Sequence, residues 1–199
     1  MRPGKMRITS TARTGLLAGL MAAATALQAE GATTPIQLSL WNPVQLRDAS
    51  HSVEGVRLNV FYGVNEDIQG LDLGLFVNRA TGDAGGYQTA FVNLVEGGFG
   101  GWQKGLFNKT DSEFRGMQHG LVNLTQGGLA GLQYGFVNVS REETRGMQLG
   151  FVNYAGEMRG LQLGLWNHTR YLHGLQIALV NVNREGDPFG FLPIVNWSF

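Results

Sequence analysis

The feature that most constrains this chain is a short unit, Gly-Leu-Gln-x-Gly-Leu-Val-Asn, that recurs every 14 to 16 residues. The clearest copies begin at Gly131, Gly146 and Gly160. A weaker copy begins at Gly55, and the remaining copies begin at Gly70, Gly86, Gly101, Gly116 and Gly174. A fixed short period is typical of an array in which each unit buries surface only against its neighbours.

Comparing the copies with one another shows which positions the fold restricts. Apart from the Gly55 copy, the third position is Gln in every copy except one, where Asp72 replaces it. The fifth position is Gly or Ala, and the eighth is nearly always Asn. An apolar residue often lies two places before the first glycine, out of step with the alternation that follows, so the chain is predicted to bend at that glycine.

Each unit is predicted to be a β-strand, because it is short, rich in Leu, Val and Phe, and bounded by polar residues. Odd and even copies are alike, and the connections are uniform in length. Both observations favour a β-solenoid of about nine to ten coils of roughly 15 residues, with like residues stacked about 4.8 Å apart. Gln and Asn would then form hydrogen-bonded columns.

The alternative fold is an up-and-down β-barrel of the outer-membrane type. Trp197 and Phe199 give the chain an aromatic end, and the even positions of the unit are large and apolar while the odd positions carry Gly, Gln and Gly. That alternation resembles the lipid-facing and lumen-facing sides of such a barrel. The sequence leaves open which face of the strands is buried.

The N-terminal residues 1–29 have the pattern of a secretory signal peptide that is removed. Arg2, Lys5, Arg7 and Arg13 precede an apolar stretch from Gly15 to Leu27, and Ala29 offers a small residue before the cut. Without this segment the chain has 11 basic and 15 acidic residues, which gives no electrostatic case for nucleic-acid binding. There is no cysteine, so neither a disulfide nor a thiolate metal site can form.

The rest of the chain divides into three parts. Residues 30–54 are predicted to form an N-terminal cap with a degenerate first repeat, residues 55–189 the repeat array, and residues 190–199 a C-terminal capping strand. Atypical end copies are expected, because the ends of a stack must be closed.

Behind a signal peptide and before a Pro-Ile-x-Asn-x-x-Phe tail, the Gly-Leu-Gln-x-Gly-Leu-Val-Asn unit resembles a surface-repeat family of exported bacterial proteins. The likeness covers residues 55–199. It implies a location at the cell surface or outer membrane, with the periplasm as an alternative. It implies no reaction, and it transfers no catalytic or binding residue.

Patterns typical of catalytic and metal sites are missing from the sequence. The four histidines form neither a His-x-His nor a His-Glu-x-x-His arrangement, and there is no Gly-x-Ser-x-Gly elbow. The sequence therefore predicts that the protein is not an enzyme and uses no cofactor.

The variable fourth position suggests a contact surface, since it would form one column in a parallel stack. Lys104, His119 and Tyr134 lie in this column, and Tyr87 and Trp102 lie beside it. Aromatic side chains of this kind are common anchors in binding surfaces. The sequence thus predicts a non-enzymatic structural or interaction protein of the bacterial envelope that meets a protein or glycan partner. The alternative function, tied to the barrel, is a membrane anchor or pore.

Overall fold

The computed structural model of the protein describes residues 32–186 and 189–199, so the predicted signal peptide lies outside it. The described residues contain strands and connections. In chain order the strands are β1 (Thr33–Trp41), β2 (Val44–Gln45), β3 (Ser52–Asn65), β4 (Ile68–Gly74), β5 (Val77–Ala80), β6 (Ala84–Thr89), β7 (Val92–Val95), β8 (Phe99–Lys104), β9 (Phe107–Thr110), β10 (Phe114–Thr125), β11 (Leu129–Leu149), β12 (Val152–Leu163), β13 (Trp166–Asn183) and β14 (Phe191–Ser198).

Successive units lie parallel and in register, with Gly131 on Gly116 and Gln133 on Gln118. Nine such glycines mark nine coils, and β1 lies parallel to β3 as one further coil before them. The predicted β-solenoid is therefore confirmed. The alternative antiparallel barrel is wrong, because antiparallel pairing within the described chain is confined to β1 with β2 and β13 with β14.

The first glycine of each unit forms a corner that no other residue can occupy. Gly131 has a φ of 140°, and a Cβ built on it would lie 2.0 Å from the carbonyl oxygen of Gly116. The bend reverses the alternation of inward and outward side chains. Phe114 and Leu129, which lie two residues before Gly116 and Gly131, therefore point inward and are almost fully buried. The predicted bend at this glycine is confirmed.

The interior of the coils is largely polar, which answers the question of the buried face. The third-position glutamines and eighth-position asparagines are fully or almost fully buried, and the large apolar residues of the even positions point outward. Apolar interior contacts come from a narrow cluster of Ile68, Ala80, Ala84, Val95, Phe99, Phe114 and Leu129, and from a second cluster of Ala155, Met158 and Leu172.

Two columns of amides run through this interior in opposite senses. Gln133 Nε2 donates to Oε1 of Gln118 in the preceding coil at 2.8 Å. Asn138 Nδ2 donates instead to Oδ1 of Asn153 in the following coil at 2.9 Å, and to the carbonyl oxygen of Leu149 at 2.9 Å. Each bond contributes about 0.5–1.5 kcal/mol net, whereas a buried amide left without a partner destabilises by about 1–3 kcal/mol.

The glutamine column ends at a buried ion pair, which explains the exception at Asp72. Gln88 Nε2 donates to Oδ2 of Asp72 at 2.7 Å. The Nε and Nη2 atoms of Arg57 donate to the two oxygens of the same carboxylate, both at 2.7 Å. At the other end β14 lies antiparallel on β13, and Asn196 Nδ2 donates to Oε1 of Gln176 at 3.4 Å.

Substitutions at two neighbouring glycines test whether the corner position requires glycine. We expect Gly101→Ala to lower the free energy of unfolding by at least about 1–3 kcal/mol, because its φ is 135° and the new Cβ would lie 2.1 Å from the Gly86 carbonyl oxygen. Gly100→Ala is the matched control, since a Cβ there has no neighbour within 4 Å. Urea titration measures both, and equal unfolding midpoints would contradict the corner.

The ion pair at the end of the glutamine column gives a second prediction. Arg57→Gln leaves the buried Asp72 carboxylate without its bidentate partner, and we expect a loss of about 3–5 kcal/mol in the free energy of unfolding. Adding Asp72→Gln should recover most of that loss, because the amide column then extends by two coils. A double variant no more stable than the single variant, measured in the same urea titration, would count against this account.

Candidate functional site

The outward side chains of the coils form a continuous apolar surface, here called the apolar band. It consists of the second, fourth, sixth and seventh positions of the nine coils from Val56 to Val180. Its most regular part, called the sixth-position column, is at the sixth position in seven coils and at the seventh position in the first two, which have one extra residue. Its nine residues are each between 39% and 62% exposed: Phe61, Phe76, Phe91, Leu106, Leu121, Phe136, Phe151, Leu165 and Leu179. Such large exposed apolar patches mark interaction surfaces in soluble proteins.

The stacked register aligns the phenylalanine or leucine of each coil with that of the next coil. Phe136 lies on Phe151 with ring centroids 4.4 Å apart, and Phe61 lies on Phe76 at 5.5 Å. The fifth position of each unit, which precedes the column member, is Gly, Ala or Asn. In Gly135, for example, a Cβ would lie 2.1 Å from the Gly120 carbonyl oxygen and 2.7 Å from Nδ2 of Asn123. The same packing that builds the amide columns therefore exposes the apolar side chains.

A shallow groove runs along the band between the fourth-position and sixth-position columns. The groove has a volume of about 610 Å³. Its base is formed by glycines and its walls by His119, Leu121, Tyr134, Phe136, Leu149, Phe151, Leu163 and Leu165.

 The groove is open along its length, so it leaves these side chains accessible to a partner that lies along the rod.

Charged residues are segregated from the band. Lys104 is its one charged residue, and it contains no aspartate or glutamate. In three coils a glutamate of the connection lies farther from the band than the arginine that follows it: Glu113 and Arg115, Glu143 and Arg145, and Glu157 and Arg159. Two of these pairs, Arg115 with Glu113 and Arg145 with Glu143, are joined at 2.9 and 2.8 Å. Arg145 also holds the pKa of the Glu143 carboxyl below its usual value by hydrogen bonding.

The structure brings all five predicted contact residues together on the band. Tyr87 packs edge-on against Trp102 in the next coil, with ring centroids 5.4 Å apart. His119 lies between Lys104 and Tyr134 in the fourth-position column, and its ring centroid is 5.0 Å from that of Tyr134. Trp102 and Tyr134 are 42% and 50% exposed. Their role in binding stays a prediction.

The sequence reasoning missed the sixth-position column, which is the larger feature. Its members were visible as a phenylalanine or leucine in every copy, but an apolar column that recurs so regularly is equally typical of a core. The signal that could have separated the two was the fifth position. A position restricted to small residues indicates that the backbone packs closely on that side of the strand. The large residues next to it then point to the other side.

A polar cavity lies on the opposite part of the rod, around Gly156. Its volume is about 410 Å³, and Arg141, Arg170 and Arg184 contribute to its lining. Burial, with a smaller contribution from Arg184, lowers the pKa of His168 below its usual value. The ring of His168 stacks on Tyr154 with centroids 5.3 Å apart, which is a packing role.

Among the described residues, no three His, Cys, Asp or Glu side chains are grouped so that they could hold a metal ion. The same part of the chain contains no helix with the length and apolar character needed to cross a membrane.

Fold and surface together define a β-solenoid repeat protein with amide columns inside and an apolar band outside. No protein-family model, curated protein or solved structure matches the chain.

Two phenylalanines test whether the band lies outside the stability core. Phe136 is 51% exposed, whereas Phe114 is fully buried. We expect Phe136→Ser to lower the free energy of unfolding by about 1 kcal/mol, mainly from its lost ring stack. Phe114→Ser should lower it by at least about 3–5 kcal/mol, the range for truncating a buried aromatic residue. Urea unfolding compares them, and the reverse order would contradict the assignment of the two faces.

Proposed function

We propose that the protein is an exported, non-enzymatic interaction protein of the bacterial cell envelope, and that the apolar band is its contact surface. The observation that carries the proposal is the column of nine exposed Phe and Leu side chains, one from every coil. Exposing such a column to water is unfavourable by about 25 cal/mol for each Å² of apolar area. A partner that covers it would recover that free energy.

The interior supports a structural role for the coils. The amides of Gln118 and Asn123, for example, are fully buried and hydrogen-bonded to the coils on either side. Such saturated columns position the surface rigidly, but they offer no polar group to a substrate. The groove on the band is open and mainly apolar, whereas a catalytic site needs converging polar groups from which water can be excluded.

The predicted contact residues give the band a distinct region. Tyr87, Trp102, Lys104, His119 and Tyr134 combine aromatic rings with a cation. Later coils carry Leu149, Leu163 and Ile177 in the fourth-position column, which contains Lys104, His119 and Tyr134 in the earlier coils. This change of character along the rod supports a contact with a protein or glycan at the first region and a purely apolar contact beyond it.

Cell fractionation tests the proposal on the full chain, including residues 1–29. We expect the wild-type protein to lose its N-terminal segment and to remain with the envelope. The variant Leu121→Ser/Phe136→Ser/Phe151→Ser should be processed equally but released in soluble form, because its contact surface is interrupted. Mass spectrometry reports the processing, and immunoblots of the fractions report the release.

The matched control carries three serines on the far part of the coils, Arg141→Ser/Glu142→Ser/Arg170→Ser, and should stay with the envelope. Trp102→Ala/Tyr134→Ala tests the predicted contact residues separately and should weaken retention while the protein stays folded, with only the modest loss of stability expected from two exposed ring contacts. An unprocessed wild-type chain in the cytoplasm would disprove export. Full retention of the triple band variant would show that another surface makes the contact.

A further inference from the structure

We propose that the apolar band binds the surface of a lipid bilayer that contains anionic headgroups, with the rod lying flat on the membrane. The inference rests on the proposed function, because it uses the same band and names the partner. Three features carry it: the dimensions of the band, the position of Lys104, and the order of charges around the coil.

The dimensions of the band suit an extended surface. Nine coils at about 4.8 Å each give a strip roughly 40 Å long. Its column of Phe and Leu lies beside exposed aromatic residues, with Trp102, Tyr134 and Trp166 between 42% and 52% exposed. Leucine and phenylalanine side chains enter the boundary between headgroups and acyl chains, and tryptophan and tyrosine prefer the same depth.

The charge of Lys104 favours a bilayer over a second copy of this chain as the partner of the band. Its ammonium group forms no ion pair with any carboxylate in residues 32–186 and 189–199. A second rod packed band to band would bury this charge, and the partner band would supply no carboxylate, because the band contains no acidic residue. Burying an unpaired charge is strongly unfavourable. Lipid phosphates can reach the ammonium group, and the flexible lysine stem can extend toward them.

Most of the charged residues directly before the corner glycines are arginines, which have the sign that anionic lipids attract. Along three coils the order is glutamate, arginine, corner glycine and band residue, as in Glu113, Arg115, Gly116 and Met117, whereas Glu54 directly precedes Gly55 in an earlier coil. In those three coils the arginine is the charged residue nearer to the band, and the carboxylate lies farther from it. Each basic residue near an anionic surface contributes attraction of about 1 kcal/mol, and salt reduces it.

The absence of cysteine from the sequence allows single-probe labelling of the full chain. Leu165→Cys and Tyr171→Cys place a probe on the band and on the far part of the same coil, at residues that are 47% and 46% exposed. Each carries the polarity-sensitive fluorophore NBD. Vesicles contain equal parts of phosphatidylcholine and phosphatidylglycerol. We expect a blue shift and a brighter signal from position 165 and no change from position 171.

The paired probes also control for the apolar stretch at 15–27. If that stretch alone held the chain to vesicles, the band would not be oriented toward the lipid, and the two probes would respond alike. The charge contribution is tested by the ratio of partition coefficients for these vesicles and pure phosphatidylcholine. Lys104→Met should lower that ratio about five-fold, the factor for one basic group at the surface. Arg170→Met, on the far part of the coil, should lower it less.

Three results would overturn the lipid assignment. Equal responses from positions 165 and 171 would show that the band does not face the bilayer. A blue shift at position 165 that grows with protein concentration in the absence of vesicles would show that a second copy covers the band. No response to vesicles, combined with envelope release of the triple band variant, would assign the band to an envelope protein or glycan and leave the proposed function standing. Unchanged retention of that variant in cells would reject the proposed function itself, whatever the vesicles show.

Discussion

Hydrogen bonding between stacked amides is the interaction on which the rest of this structure depends. The interior of each coil holds Gln and Asn columns that run in opposite donor senses. Both kinds of amide are fully buried in the middle coils, so their hydrogen bonds to the neighbouring coils also satisfy their polarity. Bonds in such chains polarise one another, which strengthens a column beyond its separate pairs.

A polar interior changes the role of the apolar residues. In most globular domains Leu and Phe drive folding from inside, whereas here the Phe and Leu column is available for binding because the amides and the glycine corners have taken the interior. The ends of the stack need different chemistry, since a column of identical amides has no natural end. Arg57 and Asp72 provide it at one end, and Asn196 reaches the last glutamine at the other. The rod is therefore closed by a few specific contacts.

Much of the fold could be predicted from the sequence, because a stacked register repeats the same demands in every copy. The parallel coils, the amide columns and the bend at the first glycine all followed from Gly131, Gln133 and their equivalents. The buried face could not be predicted, because the alternation of Leu with Gly and Gln suits burial on either side. The partner of Asp72 was also missed, since Arg57 lies in a weak copy whose alignment becomes clear only when the coils are stacked. The contact residues were placed correctly on one surface, but the column beside them was not recognised.

The register has a consequence for how the length of such a protein can change. Every middle coil presents the same donors and acceptors to the coil above it and to the coil below. Removal of residues 116–130 would bring Gln133 over Gln103 and Asn138 over Asn108, and both columns would remain continuous. Insertions and deletions of whole units therefore alter the reach of the rod in steps of about 4.8 Å without requiring any compensating substitution. Duplication of whole units within the array can therefore lengthen the exposed strip by one coil at a time.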